Sequence, residues 1–168
     1  RKVLVAHASW LDSFAKPLYT CALDERATAH GSFFAPCAYE IDSLSRLERE
    51  VFGPILHIVR WRGEDLDKVC DAIASTGYGL TLGIHSRIED TIRRITTRLH
   101  VGNTYVNRNV IGAVVGVQPF GGEGLSGTGP KAGGPHYLYR FASERTLSVD
   151  TTAAGGNASL MAVDAGDD

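Results

Sequence analysis

The sequence predicts an α/β fold in which helices flank a parallel sheet. Between residues 55 and 107, strand-like and helix-like apolar spacings alternate in the order strand, helix, strand, helix, strand. Short connections and right-handed crossovers make a parallel sheet the expected arrangement of such a chain. Glycine then becomes frequent, with ten of the 19 glycines between Gly102 and Gly134. This concentration predicts a region in which the backbone itself has a special role.

The chain before this alternating region gives weaker signals. Residues 2–6 are expected to form a short strand. Residues 32–40 are expected to be extended, because Pro36 excludes a helix interior. Apolar side chains at positions 44, 47 and 51 predict one or two helical turns, which end before the Gly-Pro pair at residues 53–54.

The first strand and helix of the alternating region are well marked. Residues 55–61 are rich in β-branched and aromatic side chains, which predicts a strand. The helix that follows has one apolar face, and Gly77 is placed to end it with a left-handed backbone. That face is formed by four residues spaced at i, i+3, i+4 and i+7, namely Leu66, Val69, Cys70 and Ile73.

A second strand and helix follow in the same order. Apolar residues alternate with small or polar ones over residues 80–84, which is the period of a strand. Ser86 and Glu89 have the spacing of a capping box for a helix over residues 88–99. Gly102 is expected to close this helix before a third strand at residues 104–107.

Regular structure is expected to become sparse after the third strand. Residues 111–135 form a long glycine-rich stretch, and loops of this length in compact domains are usually functional. Residues 137–141 and 146–149 are predicted to be strands. The end of the chain, residues 155–168, is small, polar and acidic, and we expect it to be flexible.

Composition argues against several classes of function. A hydrophobic fraction of 43% and a charged fraction of 21% are ordinary for a globular domain. The net charge of −2 lacks the basic excess of nucleic-acid-binding proteins. The longest apolar run, residues 110–117, is much shorter than the roughly 20 residues of a membrane helix. Neither the six histidines nor the cysteines have metal-ligand spacing, so no metal is expected.

The three cysteines are expected to be free thiols in a reducing, cytoplasmic setting. The simplest interpretation of Cys21, Cys37 and Cys70 is that each is a small buried side chain.

One motif is misleading. Gly122, Gly124 and Gly127 match the dinucleotide-binding pattern G-x-G-x-x-G. That pattern binds a pyrophosphate because its last glycine opens a helix, whose N-terminus holds the phosphates. Here residues 128–135 contain three glycines and two prolines, through which no helix can run. We therefore predict that this segment is not a Rossmann turn.

Three segments, in this order and at this spacing, resemble the aldehyde dehydrogenase superfamily. They are EVFGP at 50–54, GYGLT at 77–81 leading to GNTYVN at 102–107, and PFGG at 119–122 followed by Ser126-Gly127. Residues 107–137 are most similar to the glutamate-semialdehyde branch, also called 1-pyrroline-5-carboxylate dehydrogenase. Within that branch the sequence is most similar to the bifunctional bacterial proline utilization A flavoproteins. Residues 151–160 resemble the C-terminal motif of those proteins. The resemblance covers about residues 32–160.

The resemblance implies an NAD-dependent enzyme with two cofactor contacts in this chain. Glu50 corresponds to a glutamate that accepts hydrogen bonds from the nicotinamide ribose, and Phe52 to an aromatic residue that packs against the nicotinamide. A carboxylate and an aromatic face suit these tasks. From residue types alone, a solvated glutamate and a core phenylalanine would be the simpler explanation.

The resemblance also implies a substrate anchor. Gly112 and Ala113 correspond to a loop that binds the α-carboxylate and amino group of the substrate through main-chain atoms. Phe120 corresponds to an aromatic residue that packs on the aliphatic part of the substrate. Backbone amides bind a carboxylate without a charged side chain, and small residues let the backbone approach closely. A tight turn and a core phenylalanine are the alternative.

The same resemblance implies that the catalytic residues lie outside this chain. In the family a cysteine thiolate attacks the aldehyde, hydride passes to NAD, and water hydrolyses the thioester. The nucleophile, the general base and the main NAD-binding domain precede the matched region. We expect the chain, which lacks an initiator Met, to be part of a longer enzyme and inactive alone. FAD would belong to a proline dehydrogenase domain upstream, if the parent chain is bifunctional.

On this basis the chain divides into three parts. Residues 1–136 would be the C-terminal part of the catalytic domain, 137–150 the oligomerisation strands of a homo-oligomer, and 151–168 a C-terminal motif with a flexible tail. Two alternatives stay open. The parent could be an aldehyde dehydrogenase with another substrate, or a noncatalytic binding or assembly module that has kept the fold.

Overall fold

The computed structural model describes residues 1–24, 26, 28–114 and 116–150 and has the predicted α/β architecture. Its helices are α1 (Lys2–Asp12), α2 (Leu66–Ser75) and α3 (Glu89–Arg98). Its strands are β1 (Lys16–Thr20), β2 (Cys37–Glu40), β3 (Ile55–Ile58), β4 (Tyr78–Gly79), β5 (Thr81–Ile84), β6 (Asn103–Val106) and β7 (Glu123–Gly124). Three 3-10 turns cover Leu44–Arg46, Gly63–Asp65 and Tyr137–Phe141. None of the described helices is long and apolar enough to cross a membrane.

The strands form three small sheets. In the first, β2 pairs antiparallel with β1 and parallel with β3. In the second, β5 and β6 are parallel, with Thr81 opposite Asn103. The third consists of β4 and β7, which are antiparallel. The predicted parallel pairing is confirmed, and within the described residues the two parallel pairs lie in separate sheets, each packed on its own hydrophobic cluster.

The first cluster packs α1 against the three-stranded sheet. Its buried side chains come from the last turn of α1 and from β2 with the residue after it, and they are Leu11, Cys37, Tyr39 and Ile41. The alternate burial of Cys37 and Tyr39 is the period of a strand with one face inward. This agrees with the extended conformation predicted for residues 32–40.

The strand predicted at residues 2–6 is wrong, because this segment forms the first half of α1. Val3 and Val5 suggested a strand by their β-branched side chains, yet both are largely exposed. The inward stripe instead comprises Leu4, His7 and Leu11, which has helical spacing. Burial of this stripe decides the conformation over local propensity.

A histidine pair holds α1 on the sheet. The Nε2 atoms of His7 and His57, in β3, are 3.0 Å apart, and the ring of Trp10 stacks on His7. Burial lowers the pKa of both imidazoles, with Arg49 adding to the effect at His7 and His7 adding to it at His57. At neutral pH one ring therefore donates to the other without a charge on either.

Tyr39 gives this cluster a testable pH dependence. Its hydroxyl donates a hydrogen bond to Asp12 at 2.9 Å. Burial, followed by that hydrogen bond, raises the pKa of Tyr39 from 10.0 to about 12. An unfolded tyrosine loses its proton at lower pH than the folded one, so rising pH favours unfolding. We expect the free energy of unfolding to fall as pH rises from about 10 to about 12, and Tyr39→Phe to remove this component.

Urea titrations followed by circular dichroism, from about pH 9 to about pH 11.5, measure this slope. Tyr19→Phe is the control, because Tyr19 is an exposed tyrosine on the neighbouring strand β1. Equal alkaline slopes for the wild type and Tyr39→Phe would contradict the assignment.

The second cluster packs α2 and α3 beside the β5–β6 pair. Leu66, Cys70 and Leu99 are its buried members. Two exposed ion pairs also join the helices, Asp67 with Arg94 and Asp71 with Arg98. The apolar face predicted for α2 is confirmed at Leu66 and Cys70, and Gly77 has the predicted left-handed φ of 73°.

Two details predicted around α3 are wrong. The hydroxyl of Ser86 accepts from the N–H of Ile88 and closes a turn before the helix, so Glu89 is the first helical residue and no capping box forms. The helix ends at Arg98, because Leu99 turns into an extended conformation to enter the second cluster. Gly102 therefore lies beyond the helix end and has another role.

The strands predicted at 137–141 and 146–149 are also wrong. Tyr137–Phe141 is a 3-10 turn, and residues 142–150 are exposed and form neither a helix nor a strand. A strand needs a neighbour for its backbone hydrogen bonds. The oligomerisation role of residues 137–150 stays a prediction. The motif and tail at 151–168 lie outside the described residues.

Candidate substrate and cofactor site

The chain leaves β6 through a left-handed residue that is not glycine. Asn107 has a φ of 54°. Its carboxamide donates to the carbonyl of Ser86 at 2.9 Å and accepts from the Ser86 N–H at 3.0 Å. This pair of hydrogen bonds offsets the cost of the left-handed backbone. It directs the chain into residues 108–114, which we call the anchor loop.

The anchor loop is exposed around its glycine. Gly112 has a φ of 83°, and a Cβ built on it would meet no atom within 4 Å. Ala113 beside it is half-buried. Packing within the described chain therefore does not explain the glycine, whereas its left-handed backbone conformation does.

Arg108, an exposed residue at the start of this loop, contacts the loop backbone at two carbonyl groups. Its guanidinium lies 4.4 Å from the centre of the Tyr105 ring, and its Nε donates to the carbonyl of Asn109 at 3.2 Å. Its Nη2 also reaches the carbonyl of Gly112 at 3.5 Å.

Phe120 lies within the glycine-rich stretch and forms an antiparallel β-bridge with Ala132. Its N–H and C=O exchange hydrogen bonds with Ala132 at 3.0 and 2.9 Å. Its side chain remains 38% exposed. Asn103 binds the backbone on both sides of Phe120. Its carboxamide donates to the Pro119 carbonyl at 3.0 Å and accepts from the Gly121 N–H at 3.3 Å.

Gly102 provides the close approach between this segment and β6. A Cβ at Gly102 would overlap the carbonyl oxygen of Gly121 and lie 2.9 Å from the Cα of Gly122. The ammonium of Lys131 donates to the carbonyl of Gly102. Glycine at this position therefore sets the distance between β6 and the segment that carries Phe120.

The segment that matches the dinucleotide-binding pattern forms a short strand and a turn. Glu123–Gly124 forms β7, and the N–H groups of Ser126 and Gly127 return to the carbonyls of Glu123 and Gly124. No helix begins in residues 122–136. The rejection of a Rossmann turn is therefore confirmed.

Glu50 and Phe52 lie much earlier in the chain, just before β3. The ring of Phe52 is 90% exposed, and Glu50 is also exposed. Leu4 of α1 packs over the neighbouring Gly53. A cavity of about 370 Å³ between α1 and residues 46–51 ends beside these positions.

The predicted site residues thus fall into two groups. Gly112 and Ala113 are linked to Phe120 through a chain of side-chain contacts that runs along β6. Glu50 and Phe52 form the second group, and among the described residues no hydrogen bond connects them to the first group. Asn103 was not predicted as a site residue, although it lies in the matching segment 102–107 and shares one strand face with Tyr105.

Cys21 is half-buried rather than buried as expected, and neither of the two buried cysteines has the surroundings of a nucleophile. Cys37 and Cys70 are buried, and burial raises the pKa of each thiol, with Asp12 adding to the effect at Cys37. The thiolate is the reactive form, so both positions are unsuited to attack on an aldehyde. Within the described ranges, no group of three His, Cys, Asp or Glu side chains is arranged to hold a metal.

Comparison with known proteins identifies the class. The family model for the aldehyde dehydrogenase family matches residues 4–147, and the chain belongs to that family. Over 122 residues it is 61% identical to the bifunctional protein PutA of Klebsiella aerogenes, which covers 73% of this chain and 9% of that protein. The resemblance stated from the sequence is confirmed.

Two solved structures give the same result. A structure of proline utilization A with proline bound in remote sites matches with a TM-score of 0.82 and 56% identity, covering 90% of this chain and 15% of that one. The 1-pyrroline-5-carboxylate dehydrogenase of Thermus with bound NAD matches with a TM-score of 0.72 and 32% identity, covering 83% and 27%. The chain spans about a quarter or less of the length of each of these relatives.

Proposed function

We propose that this chain forms the substrate-anchoring part of an NAD-dependent dehydrogenase that oxidises L-glutamate γ-semialdehyde, in equilibrium with 1-pyrroline-5-carboxylate, to glutamate. The observation that carries the proposal is the anchor loop, whose Gly112 has a left-handed backbone and open space around it. The reaction consumes aldehyde, NAD⁺ and water, and yields carboxylate, NADH and two protons. The similarity to 1-pyrroline-5-carboxylate dehydrogenase and PutA supports this choice of substrate.

The anchor recognises the amino-acid end of the substrate. The N–H groups of the loop can donate to the α-carboxylate, and carbonyl oxygens can accept from the α-amino group. Such a site selects for both groups without placing a side-chain charge beside the reacting aldehyde. The half-exposed ring of Phe120 offers an apolar surface for the methylene groups of the same substrate.

The cofactor contacts fit the residues present. The uncovered ring of Phe52 can pack against a flat heteroaromatic ring, and Glu50 forms no ion pair among the described residues, so its carboxylate is open to hydroxyl donors. NAD, when bound, supplies the hydride acceptor. Glu50 and Phe52 would orient it, while the nucleophile and general base come from the preceding part of the same enzyme.

The proposal extends to the setting of the enzyme. We place it in the cytoplasm, which the free thiols of Cys21, Cys37 and Cys70 support. We also propose a homo-oligomer. Exposed apolar side chains in the last described residues support this part, and these include Phe141, Leu147 and Val149. An FAD-dependent proline dehydrogenase domain would lie upstream if the enzyme is bifunctional.

Co-expression with the preceding part of the enzyme tests the function. We expect NADH formation, followed by absorbance, from glutamate semialdehyde, with much weaker activity on acetaldehyde and succinate semialdehyde. The purified chain alone is expected to give none. Comparable activity on all three aldehydes would refute the substrate assignment, and turnover by the isolated chain would refute the claim that its catalytic groups lie elsewhere.

A further inference from the structure

Three side chains link the two proposed substrate contacts. Asn103 and Tyr105 are buried on the same face of β6, and Arg108 follows the strand and lies over the Tyr105 ring. We propose that the Asn103–Tyr105–Arg108 row is a positioning device that fixes the anchor loop relative to Phe120 and thereby sets selectivity for an α-amino-acid aldehyde. This inference rests on the proposed function and adds residues that contact no substrate themselves.

Asn103 fixes Phe120 by holding the backbone on both of its sides. One amide hydrogen goes to the carbonyl of Pro119, and the carboxamide oxygen takes the N–H of Gly121. The other amide hydrogen points to the Tyr105 hydroxyl oxygen at 3.3 Å. Only a carboxamide of this length supplies the donors and the acceptor together, since a carboxylate has no hydrogen to give and leucine has neither group.

Arg108 fixes the anchor loop through a peptide plane. Its guanidinium lies 4.4 Å from the centre of the Tyr105 ring and donates to the carbonyl of Gly112 at 3.5 Å. The C=O of Gly112 and the N–H of Ala113 belong to one planar peptide group and point in opposite directions. Holding the carbonyl toward Arg108 therefore aims the Ala113 N–H away from Arg108, where a substrate carboxylate can accept it.

Of the three residues in the row, Arg108 can be substituted with the least effect on the fold. Asn103 and Tyr105 are buried, and substitutions there affect packing as well as positioning. Arg108 is exposed, so its removal changes the loop with little loss of burial. Arg108 is therefore the position at which positioning can be tested alone.

The test uses the enzyme assembled with its preceding part, and compares glutamate semialdehyde with acetaldehyde. For Arg108→Ala we expect KM for glutamate semialdehyde to rise about tenfold, with kcat/KM for acetaldehyde within about twofold and an unchanged melting temperature. Arg108→Lys is expected to raise the same KM, because a lysine lacks the planar fork. Arg93→Ala, an exposed arginine of α3 paired with Asp90, is the control and is expected to change neither aldehyde.

Asn103→Asp extends the test to the buried end of the row. It keeps the acceptor for Gly121 and loses both donors, and we expect the same shift of selectivity. An Arg108→Ala enzyme with an unchanged KM for glutamate semialdehyde, or with equal losses on both aldehydes, overturns the inference. A wild-type enzyme without preference for glutamate semialdehyde overturns the proposed function first, and this is seen before any variant is made.

Discussion

Gly102→Ala is expected to lower the free energy of unfolding by about 3 kcal/mol or more, or to prevent the segment that carries Phe120 from docking beside β6. The added methyl group would overlap the Gly121 carbonyl oxygen and lie 2.8 Å from its carbon. Both are backbone atoms, so no side-chain rotation can relieve the contact. The N–H of Gly102 also donates to the Gly79 carbonyl at 3.0 Å, which restricts movement on the other side.

Urea titration followed by circular dichroism measures the change, with Gly63→Ala as the matched control. Gly63 begins the 3-10 turn before α2, and a Cβ there would meet nothing within 4 Å. We expect it to alter stability by less than about 1 kcal/mol. Equal midpoints for the two variants would mean that the segment carrying Phe120 does not rest on Gly102 in solution.

The elements that local sequence determines were predictable, and α2, β5 and α3 are the examples. Each has the apolar period of its own type, and each contributes to a cluster formed within about 40 residues of chain. The first helix was not predictable in this way. Its inward face contacts His57, 50 residues away, and that contact outweighs the strand propensity of Val3 and Val5.

The residues of the candidate site also differ in how far the sequence predicted them. Gly112, Ala113 and Phe120 were found because their residue types stand in a pattern that resembles a known branch of the family. Asn103 lies in one of the matching segments, residues 102–107, but no role was predicted for it there, because its partners Pro119 and Gly121 lie 16 and 18 residues further along the chain. A buried polar residue on a strand is visible as an anomaly only after the strand face is known.

Gly112→Val is expected to lower kcat/KM for glutamate semialdehyde about 100-fold in the enzyme assembled with its preceding part. Two effects combine at this position. A β-branched side chain disfavours the φ of 83°, which shifts the adjoining N–H groups. The side chain also fills the open space through which a carboxylate would approach the backbone. Activity on acetaldehyde, which has no carboxylate to anchor, is expected to fall much less.

Gly116→Val separates anchoring from backbone strain. Gly116 follows in the same glycine-rich stretch, has a φ of 78°, and likewise has nothing within 4 Å of a built Cβ. The strain of a valine is therefore matched, whereas Gly116 has no position in the proposed anchor. If strain alone limits the enzyme, both variants lose activity equally and on both aldehydes. If the loop anchors the substrate, only Gly112→Val lowers kcat/KM for glutamate semialdehyde, mainly by raising KM. The reason is that the interaction is made with the part of the substrate remote from the reacting carbon.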